Sequence, residues 1–372
     1  MNAPIIALDH FAGTGWGVAL RSLGIREYGV ELMDEAVATR RAAGFETAYR
    51  DVWDGLSDTV LVPAHNLYIA SPPCQTFSVA GRGTGRQALD QVLALIAADA
   101  WKNAPGLRSA GIDLGDDRTA LVLTPLAHIW AHRPQYVALE QVPTVLPVWE
   151  AMADVLRGLG YSVWTGNLQA EQYGVPQTRK RAILMAMLDG EVAPPEPTHS
   201  RYYSHDPQRL DANVQKWVSM GEALGLDGFT AEKVMGRGMV ERFGTRPGRD
   251  ATEPAFTIRA SAGGAEPGGF VLVSNYGTGG DPSARGIRTS DMPAPTITSK
   301  ADRNKWNGVR KMTAAEAATL QTFPEGFEFQ GGRGKQFLQI GNAVPPRLAN
   351  AIVSALVGVQ VPRDAELVGA VA

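Results

Sequence analysis

Only one of the 372 residues is a cysteine, Cys74, so the chain can form neither an internal disulfide nor a cysteine-rich zinc site. No stretch approaches the roughly 18 consecutive apolar residues that a membrane-spanning helix requires. The amino terminus also lacks a basic segment followed by a long apolar core. These absences set the expectation of a cytoplasmic monomer with no membrane partner. Positive charge is not in excess: the formal net charge is -3, which does not advertise a nucleic-acid partner. The charge is uneven, however, with 14 basic and 12 acidic residues in 198–308 against 21 and 26 elsewhere. Histidine is scarce, at six. His128 and His132 have the i, i+4 spacing of two ligands on one helix face, but no third ligand accompanies them, so the expectation is a solvated helix face and no metal.

What is present is enough for a sizeable core: 44% of residues are hydrophobic, and the length suggests about two domains. Through residue 188, short β-like runs at 5–8, 28–32, 67–70, 136–139, 162–167 and 181–187 alternate with helical stretches, one of them at 87–100. That alternation predicts an α/β fold with a doubly wound, mostly parallel sheet. Such sheets bind ligands at the carboxyl ends of their strands, where Asp9 to Gly15, Glu31, Cys74 and Glu140 would share one crevice. The rhythm breaks at Ala193-Pro-Pro-Glu-Pro197, and the next hundred residues are rich in Gly, Thr, Ser and Arg. The expected organisation is a first domain over 1–197, a smaller irregular domain over 198–308, a return to the first domain over 309–361 and a tail at 362–372. In the irregular part, 253–259 and 292–298 echo each other too briefly to be a repeat array. Thr313, with Glu three residues later, carries a capping-box signature, and Pro346 opens a last helix expected over 346–357.

Cys74 lies in Ser71-Pro-Pro-Cys-Gln-Thr-Phe-Ser78, directly after the apolar run 66–70. A free cysteine is more often a buried hydrophobe than a nucleophile, but two prolines stiffen the approach to this one where a strand should end. Pro-Cys-Gln followed by Phe-Ser resembles the catalytic loop of the DNA (cytosine-5) methyltransferases. Further blocks follow in that family's order across nearly the whole chain. They are Asp9-His-Phe-Ala-Gly-Thr-Gly15, Glu140-Gln-Val, Gln177-Thr-Arg-Lys-Arg181 and Gly341-Asn-Ala-Val-Pro-Pro346. The resemblance implies a Rossmann-like methyltransferase fold that uses S-adenosyl-L-methionine, with 198–308 as a target-recognition domain. It also implies methylation of cytosine carbon 5 in a specific double-stranded DNA sequence. A cognate restriction endonuclease is a partner that only the resemblance raises.

The chemistry explains the residue types. Carbon 5 of cytosine is a poor nucleophile until a thiolate adds to carbon 6 and makes it enamine-like, the role implied for Cys74. Glu140 matches the acid that faces ring nitrogen 3, Arg181 the group holding the carbonyl oxygen, and Arg179 a support for the loop and the glutamate. For the cofactor, Gly13 and Gly15 would allow close backbone approach and Glu31 would take ribose hydroxyls. Asp9, Phe11, Asp51 and Asn342 match further cofactor contacts. The target base must leave the helical stack, and 81–86, Gly-Arg-Gly-Thr-Gly-Arg, resembles the loop that closes over it. Gln75, Ser78, Arg82 and Arg86 are the implied DNA contacts there, and Thr296 and Ile297 resemble the Thr-aliphatic pair of recognition domains.

Two positions depart from the family pattern. Gln141 stands where Asn is usual, which predicts adjusted packing of the Pro-Cys loop, and Trp16 follows Gly15 where another Gly is common. Thymidylate synthase shares the Pro-Cys addition chemistry, but its phosphate and folate sites have no counterpart here. A DNA-binding protein without catalysis is opposed by Cys74, Glu140 and Arg181. An RNA-directed relative is opposed by the long variable domain.

Overall fold

The computed structural model describes residues 4–73, 84–113, 118–206, 208–225, 271–273, 287–289, 291–299, 301, 305–306 and 310–359. Seven strands form the central sheet: β1 (Ile6–His10), β2 (Arg26–Val30), β3 (Glu46–Tyr49), β4 (Leu67–Ala70), β5 (Tyr136–Gln141), β6 (Ser162–Gln169) and β7 (Lys180–Met187). They lie in the order β3-β2-β1-β4-β5-β7-β6. The first five in that order are mutually parallel, and β7 runs antiparallel between β5 and β6. The doubly wound, mostly parallel sheet is therefore the architecture.

Before β5 the chain forms α1 (Gly15–Ser22), α2 (Asp34–Ala42), α3 (Val52–Ser57), α4 (Thr84–Ala97), α5 (Ala104–Asp113), α6 (Arg118–Leu121) and α7 (Thr124–His132). After it come α8 (Leu146–Gly158), α9 (Met220–Leu224), α10 (Ala314–Leu320), α11 (Arg333–Asn342) and α12 (Pro346–Val357). Strand side chains alternate between the two faces. Leu8, Tyr68, Val137 and Leu139 pack with Leu126, Ile129, Trp149 and Met152 on one face. Ala7, Leu67, Ile69 and Ala138 pack with Leu20, Leu348 and Ile352 on the other. Helices on both faces explain why Leu67–Ala70 is buried at every position and reads as a continuous apolar run.

Three expectations need correction. Strand β3 was not among the predicted runs: it is a short edge strand, exposed at Glu46 and Ala48, and lacks the apolar alternation that marks a buried strand. Helix α4 begins at Thr84, so 84–86 opens a helix instead of completing a loop, while 81–83 lie outside the described residues. His128 is fully buried rather than solvated.

The capping box of α10 is present, with Glu316 N–H donating to Thr313 Oγ1 at 3.1 Å and Thr313 N–H to Glu316 Oε2 at 2.8 Å. Helix α12 spans the predicted residues and buries Leu348, Ile352, Val353 and Leu356. The irregular segment supplies β8 (Val271–Val273), β9 (Ile287–Thr289) and β10 (Lys305–Trp306), which with β11 (Arg310–Lys311), just past the expected end at 308, form an antiparallel sheet in the order β11-β10-β8-β9. A third apolar cluster joins Ala294 and Ile297 to Met312, Leu320, Phe337 and Ile340, with Val18 of α1 at its border. This cluster seats the end of the irregular segment against α1, α10 and α11.

Candidate active site

The turn after β1 is built around backbone contacts that side chains would obstruct. Gly13 sits at φ +46°, a left-handed conformation that costs glycine little. Its N–H donates to Glu31 Oε2 at 2.9 Å, and Met33 N–H donates to Glu31 Oε1 at 2.8 Å, so the carboxylate at the end of β2 pins two loops. At Gly15 a Cβ would lie 2.2 Å from the Val344 carbonyl oxygen, and this is why the last sequence block can lie against the first.

Asp9 is fully buried, and neither carboxylate oxygen has a hydrogen-bond partner. Burial pushes its pKa well above the usual carboxylate range; Glu27 and Glu31 add to the shift and Arg40 opposes it. Arg40 itself is fully buried, paired with Glu27 at 2.9 Å and donating to Gly13 O at 3.0 Å and Thr47 Oγ1 at 3.1 Å. This strut was not foreseen. Its trace in the sequence is Gly29, inside a strand, where a Cβ would sit 2.0 Å from the guanidinium.

Phe11, in the turn, is partly buried at φ +60°, and after β3 Asp51 caps α3 by accepting from Trp53 N–H at 3.0 Å. Leu32, directly after Glu31, is 65% exposed, and Asn342 is exposed at the end of α11.

At the end of β5, Glu140 is buried and its Oε1 lies 2.9 Å from Arg181 Nε at the start of β7. Gln141 donates its amide to the Pro72 carbonyl and accepts from Val142 N–H. This amide ties the strand end to the Pro-Pro loop. Trp16 acts on the same loop, its indole N–H donating to Ser71 Oγ at 3.0 Å. Cys74, Gln75, Ser78 and Arg82 lie outside the described residues, as does the side chain of Arg86 in α4.

Two expected roles change. Arg179 was expected to support the loop and Glu140; its buried guanidinium holds backbone carbonyls of two later stretches of chain. It donates to the carbonyls of Ile297 at 3.0 Å, Gly341 at 3.1 Å and Ala343 at 2.9 Å. Arg179 precedes the strand whereas Arg181 lies within it, so the two side chains serve different surroundings. Ile297, expected at the DNA, is fully buried in the third cluster. Thr296 gives its hydroxyl to Thr178 O at 2.7 Å.

Gln177 completes this junction by accepting from Ile297 N–H at 2.8 Å and donating to Leu320 O at 2.8 Å. Glu171, also buried, accepts from Arg179 N–H at 3.4 Å, and burial pushes its pKa up to about 7.

Behind β1, His10 bridges the hydroxyls of Tyr49 and Tyr68 at 2.9 Å each. His128 stacks on Tyr68 with centroids 4.2 Å apart and meets His65 at 3.0 Å between Nε2 atoms. Burial lowers His10 to about 3 and His128 well below the usual imidazole range, so both are neutral in the fold. Among the described residues no group of three or more His, Cys, Asp or Glu could hold a metal ion, and no helix is long and apolar enough to cross a membrane.

The sequence pattern of the family described as C-5 cytosine-specific DNA methylase matches residues 109–358, which include Glu140, Arg179, Arg181 and Asn342. The chain belongs to this family. As one of its members it is a DNA cytosine-5 methyltransferase. Similar proteins include a type II methyltransferase of Haemophilus parahaemolyticus, 27% identical over 78% of this chain and 68% of the relative. A type II methyltransferase of Arthrospira platensis is 24% identical over 96% and 86%. Among solved structures, the Dnmt2 methyltransferase of S. pombe has a TM-score of 0.52 at 15% identity, covering 96% of this chain and 99% of that one. The Entamoeba histolytica methyltransferase has a TM-score of 0.51 at 13%, with the same coverage. At these identities the likeness is one of fold.

Proposed function

We propose that this DNA methyltransferase takes its methyl group from S-adenosyl-L-methionine and works through a covalent Cys74 adduct on a cytosine flipped out of a specific duplex sequence. The observation that carries the reading is the Glu140–Arg181 pair, 2.9 Å apart at the carboxyl end of β5, beside the Pro72 loop that leads into Cys74. The cofactor reading is supported by the cradle after β1. Glu31 spends one lone pair of each oxygen on a backbone N–H and keeps others for ribose hydroxyls. By the family resemblance, Asp9, Phe11, Gly13, Gly15, Asp51 and Asn342 would complete the cofactor site. Both oxygens of the Asp9 carboxyl are without a partner, which leaves hydrogen-bonding capacity beside the cradle. When bound, S-adenosylmethionine supplies an electrophilic methyl on a sulfonium sulfur.

In this reading the Cys74 thiolate forms a bond to carbon 6, and the electron pair of the 5,6 double bond shifts toward carbon 5. Glu140 faces ring nitrogen 3 and supplies the proton that accommodates this flow, while Arg181 orients Glu140 and the carbonyl oxygen. Carbon 5 then takes the methyl group as its bond to the sulfonium sulfur breaks and leaves a neutral thioether. Loss of the carbon 5 proton to a base restores the double bond and expels the thiolate, and the proton on nitrogen 3 returns to Glu140. Gln75, Ser78, Arg82 and Arg86 would hold the DNA around the flipped base. Residues 1–197 and 309–361 would carry the chemistry, 198–308 would read the sequence with Thr296 at its edge, and 362–372 would form a tail.

Duplex DNA carrying 5-fluorocytosine tests the adduct, because fluorine at carbon 5 cannot leave as a proton. A denaturant-resistant complex is expected with the native enzyme and not with Cys74→Ser. A complex that persists in Cys74→Ser excludes Cys74 as the nucleophile.

A further inference from the structure

Residues 198–206 and 208–217 belong to a loop segment anchored at the end of the sheet where β6 ends and β7 begins. The N–H groups of Thr198 and His199 both donate to Gln172 O at 3.0 Å, within the turn Ala170–Tyr173. That turn is bonded to the chain just before Arg181, with Ala170 N–H donating to Arg179 O at 2.8 Å. Beneath the loop, buried Tyr202 and Trp217 meet edge to face with centroids 5.0 Å apart. Its outer side is different. The guanidinium of Arg209 lies 4.1 Å and that of Arg201 5.4 Å from the centroid of the Tyr203 ring.

Both arginines are exposed, and among the described residues neither has a carboxylate within ion-pair distance. The ring they share is fixed, since Tyr203 donates its hydroxyl to Asp211 at 2.9 Å and Asp211 also accepts from Arg201 N–H at 2.9 Å. Stacking on an aromatic ring restricts a guanidinium while leaving its N–H edges free. Two such groups held on one ring present positive charge at low ordering cost, on a loop whose start is bonded to the turn paired with the chain just before Arg181.

We propose that Arg201 and Arg209, racked on Tyr203, contact phosphates of the duplex and hold the DNA backbone over the active site without reading its sequence. The proposal rests on the duplex-DNA reading of the site above. Phosphate contacts position the protein, supply sequence-independent affinity and make binding salt-dependent.

The test is the affinity of the full-length protein for a random-sequence duplex, measured by fluorescence anisotropy from low to moderate salt. Each lost phosphate contact should flatten the slope of log affinity against log salt by about 0.9, so a fourfold rise in salt would discriminate about 3.5-fold less. Arg201→Ala and Arg209→Ala are each expected to flatten the slope, with Arg201→Lys and Arg209→Lys restoring it because the charge remains. An unchanged slope in both alanine variants overturns the proposal. So does a loss that lysine fails to rescue, which would mark a packing role. Should Arg201→Ala prove unstable in a thermal melt, Arg209→Ala carries the comparison. Failure of the native protein to bind any duplex would sink the duplex-DNA reading itself, whereas native binding with unaltered variants sinks the rack alone.

Discussion

Two carboxylates at the carboxyl ends of β2 and β5, strands separated in the sheet by β1 and β4, have different partners. Glu31 accepts two backbone N–H groups and so shapes the loops of the cradle, while Glu140 is held by one guanidinium that belongs to the base pocket in our reading. Glu140→Gln should therefore depress turnover by roughly 10² to 10⁴, the range for a lost general acid, and leave S-adenosylmethionine affinity nearly unchanged. Glu31→Gln should weaken cofactor affinity and have less effect on turnover at saturation. Calorimetry with steady-state rates on both variants checks the division. Lost cofactor binding with near-normal saturated turnover in Glu140→Gln would exchange the two roles.

At the scale of elements, α7 packs on β1 and β4 through imidazole and phenol rings rather than aliphatic side chains alone. His128 stacks between Tyr68 and His132, with centroid distances of 4.2 and 4.4 Å, and touches His65 and His10 as well. Its folded pKa lies below the unfolded value because burial penalises the cation first, and the neighbouring histidines act in the same direction. The unfolded chain then binds the extra proton below about pH 6.5, so His128's contribution to stability is present above that value and falls as pH drops. The stability advantage of the native protein over His128→Phe should shrink between pH 7 and 5, by up to about 1.4 kcal/mol per pH unit. Glu171 has the opposite sign: its folded pKa of about 7 lies above the ordinary carboxylate value, so its contribution is lost as pH rises toward 7. The advantage of the native protein over Glu171→Gln should shrink in that direction. Urea midpoints across the two ranges test both slopes, and parallel slopes in native and variant would show that the group does not titrate as described.

Across the whole molecule, one guanidinium links three distant stretches of chain. Arg179 holds the carbonyls of Ile297, Gly341 and Ala343, and two residues further on Arg181 grips Glu140. Arg179→Lys loses the forked geometry and leaves buried carbonyls short of donors, at a cost on the order of 3 kcal/mol. Its urea midpoint should fall, and trapping on 5-fluorocytosine should slow; an unaltered midpoint would show that lysine reproduces the clamp. If 198–308 reads the DNA while the rest does the chemistry, a chimera carrying a relative's segment should methylate the relative's sequence. Bisulfite sequencing decides this, and an active chimera that keeps the original site refutes the division.

The strand runs around residues 5, 28, 67, 136, 162 and 181, the capping box at Thr313 and the helix at Pro346 were legible in the sequence because local periodicity and capping chemistry determine them. The order of the blocks from Asp9 to Pro346 likewise sufficed to recognise the family. Strand β3 was not legible because an edge strand with one buried residue in four carries little apolar alternation. The inward turn of His128, the Arg40–Glu27 strut and the parting of Arg179 from Arg181 were decided by tertiary structure alone. The reason is shared by all three. A polar side chain's burial depends on partners that lie far along the chain, and the local sequence does not say which partners will arrive.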